Sequence, residues 1–163
     1  MATTTIDTDT ELSAVNSILG AIGQAPLTTL NFDNPEVSFI FNLLRDANVD
    51  TQAEGWHFNT EKHVKFSRDA NGKIAIGDDI LSMDLHDNQA RRTFNLVRRN
   101  GFLYDKQDHT DVFTVDLDLD IVRLYNFEDL PIVFRRFIIY RASRQAATQL
   151  VANPALVRLL GVQ

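Results

Sequence analysis

Apolar positions recur every three or four residues at both ends of this chain and every second residue in its middle. Leu12, Val15, Leu19 and Ile22 predict a first helix with a narrow apolar stripe. Thr8 with Glu11 fits a capping box at its start, while Gly20, Gly23 and Pro26 end it. Asn34-Pro35 restarts a helix, with Asn as cap and Pro preset for the first turn. Its stripe is Val37, Ile40, Phe41, Leu44 and Ala47, and Gly55 is the exit. Two helices so closely connected are expected to lie antiparallel and share an apolar seam.

The period then changes. Residues 56–66 alternate apolar and polar and predict a strand, on which His57 and His63 share a parity. Asn71-Gly72 and Asn100-Gly101 each sit beside strand-like residues, and both central positions of a type I′ turn need the positive φ that Asn and Gly tolerate. Residues 112–125 form the cleanest alternation, with Val115, Leu117, Leu119 and Ile121 on one side and Asp116, Asp118 and Asp120 on the other. After Glu128-Asp129-Leu130-Pro131 the helical period returns, with Phe134, Phe137, Ile138, Ala142, Gln145, Ala146 and Leu150 predicted on one face. Asn153-Pro154 is expected to cap a further short helix. The order predicts an α+β fold in one domain over residues 1–163. A helix pair (8–55) and a second helix pair (127–163) pack as a bundle beside a small antiparallel β region of hairpins (56–125).

Composition narrows the class. The chain has 163 residues, 44% hydrophobic with 11 Phe, enough to build a core and bury roughly 70% of its unfolded surface. No apolar run approaches the ~20 residues needed to cross a bilayer. The start, Met1-Ala-Thr-Thr-Thr-Ile-Asp, lacks the basic and apolar parts of a secretory signal. With no Cys there is no disulfide framework, thiol nucleophile or thiolate metal site. Charge is lopsided: residues 1–130 hold all 22 acids and 11 basic residues, a net −11, whereas 131–163 hold five arginines and no acid. The basic end is therefore expected to face something different from the rest.

A search for catalytic chemistry finds no Gly-rich phosphate loop, paired-His zinc helix or Gly-x-Ser-x-Gly elbow. His57, His63, His86 and His109 have no ligand spacing. Asp78-Asp79, with Asp84 and Asp87 following, raises a metal or a glycosidase pair, but Ile80, Leu81 and Met83 occupy positions that a calcium loop would give to ligands. A turn or cap is the simpler reading of the Asp pair. Asp116, Asp118 and Asp120 make a wet sheet face, or an acidic wall that repels polyanions or meets a basic partner. Arg135, Arg136, Arg141 and Arg144 lie on or beside a helix whose apolar face is already assigned, which makes them a solvated face or a subunit or partner interface. No catalytic, cofactor-binding or metal-binding residue is expected.

Several ordered stretches carry a resemblance. They are Glu11 to Leu19 followed by Ile22-Gly23, Pro26 and Thr29-Leu30; Gly55-Trp56-His57-Phe58-Asn59 with Glu61; Asp78-Asp79-Ile80-Leu81-Ser82; Arg99-Asn100-Gly101-Phe102-Leu103-Tyr104-Asp105; Asp120-Ile121-Val122-Arg123-Leu124; and Phe127-Glu128-Asp129-Leu130-Pro131, Phe134-Arg135, then Arg141-Ala142-Ser143-Arg144-Gln145. Together they resemble the tail tubular protein A family, the adaptor or gatekeeper proteins of short-tailed bacteriophages, across residues 11–150. The resemblance implies a non-catalytic virion protein, assembled in the host cytoplasm and located at the head–tail junction. It implies a ring, typically of twelve copies, between the portal protein and the tail nozzle (tail tubular protein B). Packaged DNA passes through the centre without sequence-specific binding; no membrane and no cofactor is involved. Arg135, Arg136, Arg141 and Arg144 are then expected at a subunit or partner interface, and Asp116, Asp118 and Asp120 at the lumen or a partner face. The family pattern continues in a longer charged helical tail where this sequence ends at Gly161-Val162-Gln163, which fits either a short form or an incomplete chain. Two other readings stay open: a virion-associated cell-wall hydrolase using Asp78 and Asp79, and a DNA-binding module carried by the basic end.

Overall fold

A computed structural model describes residues 10–86 and 94–152, together with Ala155. It is α+β, as expected: three helices and antiparallel strands in two small sheets. The expected cap Thr8, Asp87, and the helix expected after Asn153-Pro154, including Arg158, lie outside the described residues. The chain divides into two compact units, one from Met1–Thr51 with Asn126–Gln163 and the other Gln52–Tyr125.

In the helical unit, α1 spans Glu11–Ala21. Its cap is Thr10 rather than Thr8: the Ser13 amide donates to Thr10 Oγ1 at 3.1 Å and the Thr10 amide donates back to Ser13 Oγ at 3.0 Å. Glu11 thus falls inside the first turn, where its own amide donates to Glu128 Oε1 at 3.1 Å. The buried face is Ala14, Val15, Ile18 and Leu19. Asn16 clamps the following loop, donating to the Leu27 carbonyl at 3.0 Å and accepting from the Leu27 amide at 2.7 Å.

Helix α2 (Pro35–Ala53) starts at the expected cap, Asn34, whose Oδ1 accepts from the Glu36 amide at 3.0 Å. Val37, Ile40, Leu43, Leu44 and Ala47 are buried, with Leu43 in place of the expected Phe41. A single 3-10 turn, Phe127–Asp129, leads into α3, Ile132–Ala152. Among the described residues α1 and α3 form the helix pair in closest backbone contact. The small, fully buried Ala14, Ala142 and Ala146 let the two backbones approach. The buried stripe of α3 is Ile138, Ala142 and Ala146, every fourth residue. Phe137 and Gln145 are therefore off the face predicted for them: each precedes a buried residue by one position, a rotation of about 100°.

The β unit centres on β5 (Leu117–Arg123), flanked antiparallel by β1 (Thr60–Phe66) and β2 (Ile80–Leu85) in the order β1-β5-β2. A separate hairpin pairs β3 (Leu96–Arg99) with β4 (Phe102–Asp105). Its turn is the expected Asn-Gly pair, with φ of 54° at Asn100 and 79° at Gly101. Asn71-Gly72 does turn, but closes no ladder: the Asp69 amide donates to the Lys73 carbonyl at 2.8 Å, and Asp69 Oδ1 accepts from the Asn71 and Lys73 amides. Leu117, Leu119 and Ile121 face inward as their period required, into a core with Ile74, Ile76, Ile80, Leu85, Leu103 and Phe113, whereas Val115, predicted beside them, precedes the strand and is 49% exposed.

Candidate functional site

The acidic ladder lies on the outer face of β5, and β1 supplies its partners. The β1–β5 register shifts between Glu61 and Val64, so Lys62 and His63 both sit opposite Asp120. His63 takes a φ of 59° at this bulge, and its amide donates to Asp120 Oδ1 at 3.0 Å. Its ring turns to Asp118, with Nε2 3.5 Å from Oδ2. On the other flank His86 Nδ1 lies 2.7 Å from Asp120 Oδ1, and the two imidazoles meet with centroids 4.4 Å apart. Asp116 is held by Arg68, through the amide at 3.0 Å and Nε at 3.1 Å, with Lys65 Nζ at 3.8 Å. These bonds pull two carboxyls below their ordinary range: Asp116 through the Arg68 amide and then its guanidinium, Asp120 through the His63 amide and then the His86 ring. The face is thus a charge mosaic. His57, expected on the same side of one strand as His63, instead lies in the turn before β1, because the strand begins only at Thr60. His109 lies in a turn at φ 56°.

The signature stretches converge on a polar knot that residue spacing alone does not reveal. Asn59 is fully buried; its Oδ1 accepts from the Trp56 amide at 2.8 Å, and its Nδ2 donates to the Gln52 carbonyl at 2.8 Å and the Arg123 carbonyl at 3.1 Å. Gln52, also fully buried, pairs with the backbone of Tyr125: Nε2 donates to its carbonyl at 2.9 Å and Oε1 accepts from its amide at 2.8 Å. Arg123 reaches Glu61 Oε1 at 3.0 Å and Asp79 Oδ2 at 2.6 Å. The Tyr125 hydroxyl donates to the same Glu61 oxygen, which holds the Glu61 carboxyl below its ordinary value and pushes the Tyr125 phenol up. Asp79 is therefore an ion-pair partner in a turn closed by the Ile80 amide on the Gly77 carbonyl at 3.2 Å. Asp78 beside it is exposed. Among the described residues no group of three or more His, Asp or Glu is arranged to hold a metal ion.

The arginines of α3 divide. Arg141 is half-buried and its Nη1 donates to Thr51 Oγ1 of α2 at 3.4 Å; Arg135 is half-buried as well. Arg136 and Arg144 are exposed. Between and beside them lie large apolar side chains left in solvent: Val133 is 71% exposed, Phe137 48% and Tyr140 73%. These three recur at spacings of four and three and so share one side of the helix. A shallow groove of about 440 Å3 runs alongside, lined by Ser17, Ala21, Arg136, Ile139, Tyr140 and Ser143. Exposed aromatic side chains and arginines thus lie together on this helix, residue types that are enriched at protein interfaces in general. The charge imbalance points to the arginines from sequence, whereas the helical period predicts Phe137 in the core; Val133 and Tyr140 carry no signal beyond their spacing.

No described helix is long and apolar enough to cross a membrane. No curated protein matches the chain. The family model for the tail tubular protein matches residues 12–162, almost the whole chain and all three helices and both sheets described above. The chain therefore belongs to the tail tubular protein family, the structural proteins of bacteriophage tails.

Proposed function

We propose that this chain is a head-to-tail adaptor. Copies assemble as a ring, typically of twelve, between the portal vertex and the tail nozzle, and the ring encircles the DNA channel, retaining the genome and then letting it pass. The observation that carries the reading is the α3 face, where Val133, Phe137 and Tyr140 stand in solvent beside Arg136 and Arg144. A protein that worked alone would have little use for that surface, whereas a subunit buries it. A cyclic ring joins unlike patches of neighbouring copies, so one copy must carry both halves of the contact.

The β5 face suits the channel wall. Lys62, Lys65 and Arg68 stand among Asp84, Asp116, Asp118 and Asp120, so cations and carboxylates nearly balance and offer no phosphate-binding trap to moving DNA. A non-catalytic role is supported by the engagement of both Asp79 and Glu61 with Arg123: the Tyr125 hydroxyl and Arg123 hold the Glu61 carboxyl below its ordinary value, where a glycosidase needs one carboxyl raised to serve as general acid.

The test is native mass spectrometry of the chain mixed with its portal protein. A particle of portal plus many copies is expected, and replacing Arg135, Arg136 and Arg144 with Glu should abolish it. Normal assembly of that variant would refute the interface, and failure of the unaltered chain to join the portal would refute the adaptor.

A further inference from the structure

Two exposed helix faces of the helical unit carry opposite charge. On α3, Val133, Phe137, Tyr140 and Arg144 follow one another at spacings of four, three and four, with Arg136 beside them, and residues 131–152 contain no acid. On α2, Asn42, Asp46 and Asp50 are exposed at spacings of four and four, with half-buried Phe39 and Val49 along the same side. The one cation there is Arg45, whose Nε lies 4.0 Å from Asp46 Oδ1 with both side chains more than half exposed. Such a pair is worth little and yields readily to a better partner. The other acidic surface, the β5 ladder, is already engaged by Arg68, Lys65, His63 and His86 of its own unit.

We propose that the α3 face of one copy docks on the α2 face of a second copy, so that Arg136 and Arg144 meet Asp46 and Asp50 around an apolar centre of Phe137 and Tyr140. The inference rests on the ring reading above and names the two surfaces that would close it. At a rise of about 1.5 Å per residue, Arg136 and Arg144 stand about 12 Å apart along α3 and Asp46 and Asp50 about 6 Å apart along α2, a mismatch that two long guanidinium side chains span. Phe39 and Val49 give the aromatic rings an apolar bed. Because the two faces are on different helices, the contact is head-to-tail and each copy keeps one face free for the next.

The charges allow a mixing experiment. One variant, Arg136→Glu with Arg144→Glu, has acid on both faces; the other, Asp46→Lys with Asp50→Lys, has base on both. Each alone should self-associate roughly tenfold more weakly or worse, since like charges now meet. Mixed in equal amounts they should assemble again, because acidic α3 meets basic α2 and the reverse. Sedimentation velocity reads the assembly, with circular dichroism confirming that each variant is folded. The absence of Cys from the chain permits a second readout that does not depend on charge. Oxidation of the Asn42→Cys, Tyr140→Cys double variant should give a ladder of covalent oligomers, while each single variant gives dimers at most. Separate variants that assemble normally, a mixture that stays apart, or a double variant without a ladder would each overturn the α2–α3 contact. If the unaltered chain still joins the portal in a ring, the adaptor reading survives that failure; if it does not, both fall.

Discussion

Replacing Asn59 with Asp tests whether the polar knot holds the β unit together. The two side chains have nearly the same shape, so packing is left alone and only the donor changes. In the native protein Nδ2 donates to the carbonyls of Gln52 and Arg123, at 2.8 Å and 3.1 Å, from a fully buried position. Aspartate puts a carboxylate oxygen there, facing two carbonyl oxygens, while the other oxygen keeps its bond from the Trp56 amide. The Arg123 carbonyl then loses this donor at about 1–3 kcal/mol, the Gln52 carbonyl is left with the Gly55 amide at 3.1 Å, and an unpaired charge is buried besides. A loss of about 3–5 kcal/mol at neutral pH follows, a large part of the stability of a small domain. The sign with pH is fixed by the same contacts. Burial against carbonyls raises the folded-state pKa of the new acid above its unfolded value of about 3.9, so folding takes up a proton. The penalty is therefore full at neutral pH and shrinks as pH falls through the raised pKa, where the protonated acid donates to one of the two carbonyls. Urea denaturation followed by the fluorescence of Trp56, the only tryptophan, measures both effects at the site itself. A variant within about 0.5 kcal/mol of the native protein at neutral pH, or a gap that does not narrow on acidification, would refute the reasoning.

Two further predictions concern the same unit. Alanine at Gly101 should cost about 1 kcal/mol, since its φ of 79° is unfavourable for a side chain but open space surrounds it; alanine at Gly72, with the same φ and a Cβ 2.9 Å from Val112 Cγ1, should cost more in the same urea titration. In thermal melts across pH, stability should decline below about pH 4, because Glu61, Asp116 and Asp120 are held below their unfolded pKa values and lose that advantage on protonation. It should also decline above about pH 10, where ionisation of Tyr125, whose pKa is raised in the fold, breaks its bond to Glu61; a Tyr125→Phe variant should lose the alkaline limb selectively, and an unchanged limb would count against that assignment.

What could be read from the sequence was what local geometry decides. Asn100-Gly101 makes its turn because both residues tolerate positive φ whatever surrounds them. The alternation along β5 places Leu117, Leu119 and Ile121 inside, since a one-residue slip would bury the aspartates. What escaped depends on partners distant in the chain. Asn71-Gly72 turns as written, yet the next residues are tied elsewhere: the Phe113 amide donates to the Gly72 carbonyl at 2.8 Å, and Leu103 to Ile74 at 2.9 Å. The bulge that aims His63 at Asp118 has no Gly to announce it. Phe134 lies on the four-residue spacing of Ile138, Ala142 and Ala146 and Phe137 does not, a phase that the mixed apolar pattern of α3 leaves open. For the candidate site, the arginines were legible as a charge imbalance. That Arg141 reaches back to Thr51 while Arg136 and Arg144 stay exposed depends on where α3 sits in its unit.

The division between knot and surface has a consequence for how such a protein carries its function. Most of the stretches by which the chain resembles its family are occupied with holding it together. Asn59, Glu61, Asp79 and Arg123 form the polar knot; Arg99 lies over the Tyr104 ring at 3.9 Å; Glu128 caps the first helix. Changing any one of them leaves a polar group or charge without its partner, so these positions are constrained from within. Val133, Phe137 and Tyr140 are under less of it, because each stands about half or more in solvent. In the ring proposed above a neighbouring copy would constrain them instead, and it can change with them. On that reading the framework keeps the chain recognisable, while specificity for the neighbouring copy would reside in exposed residues such as these.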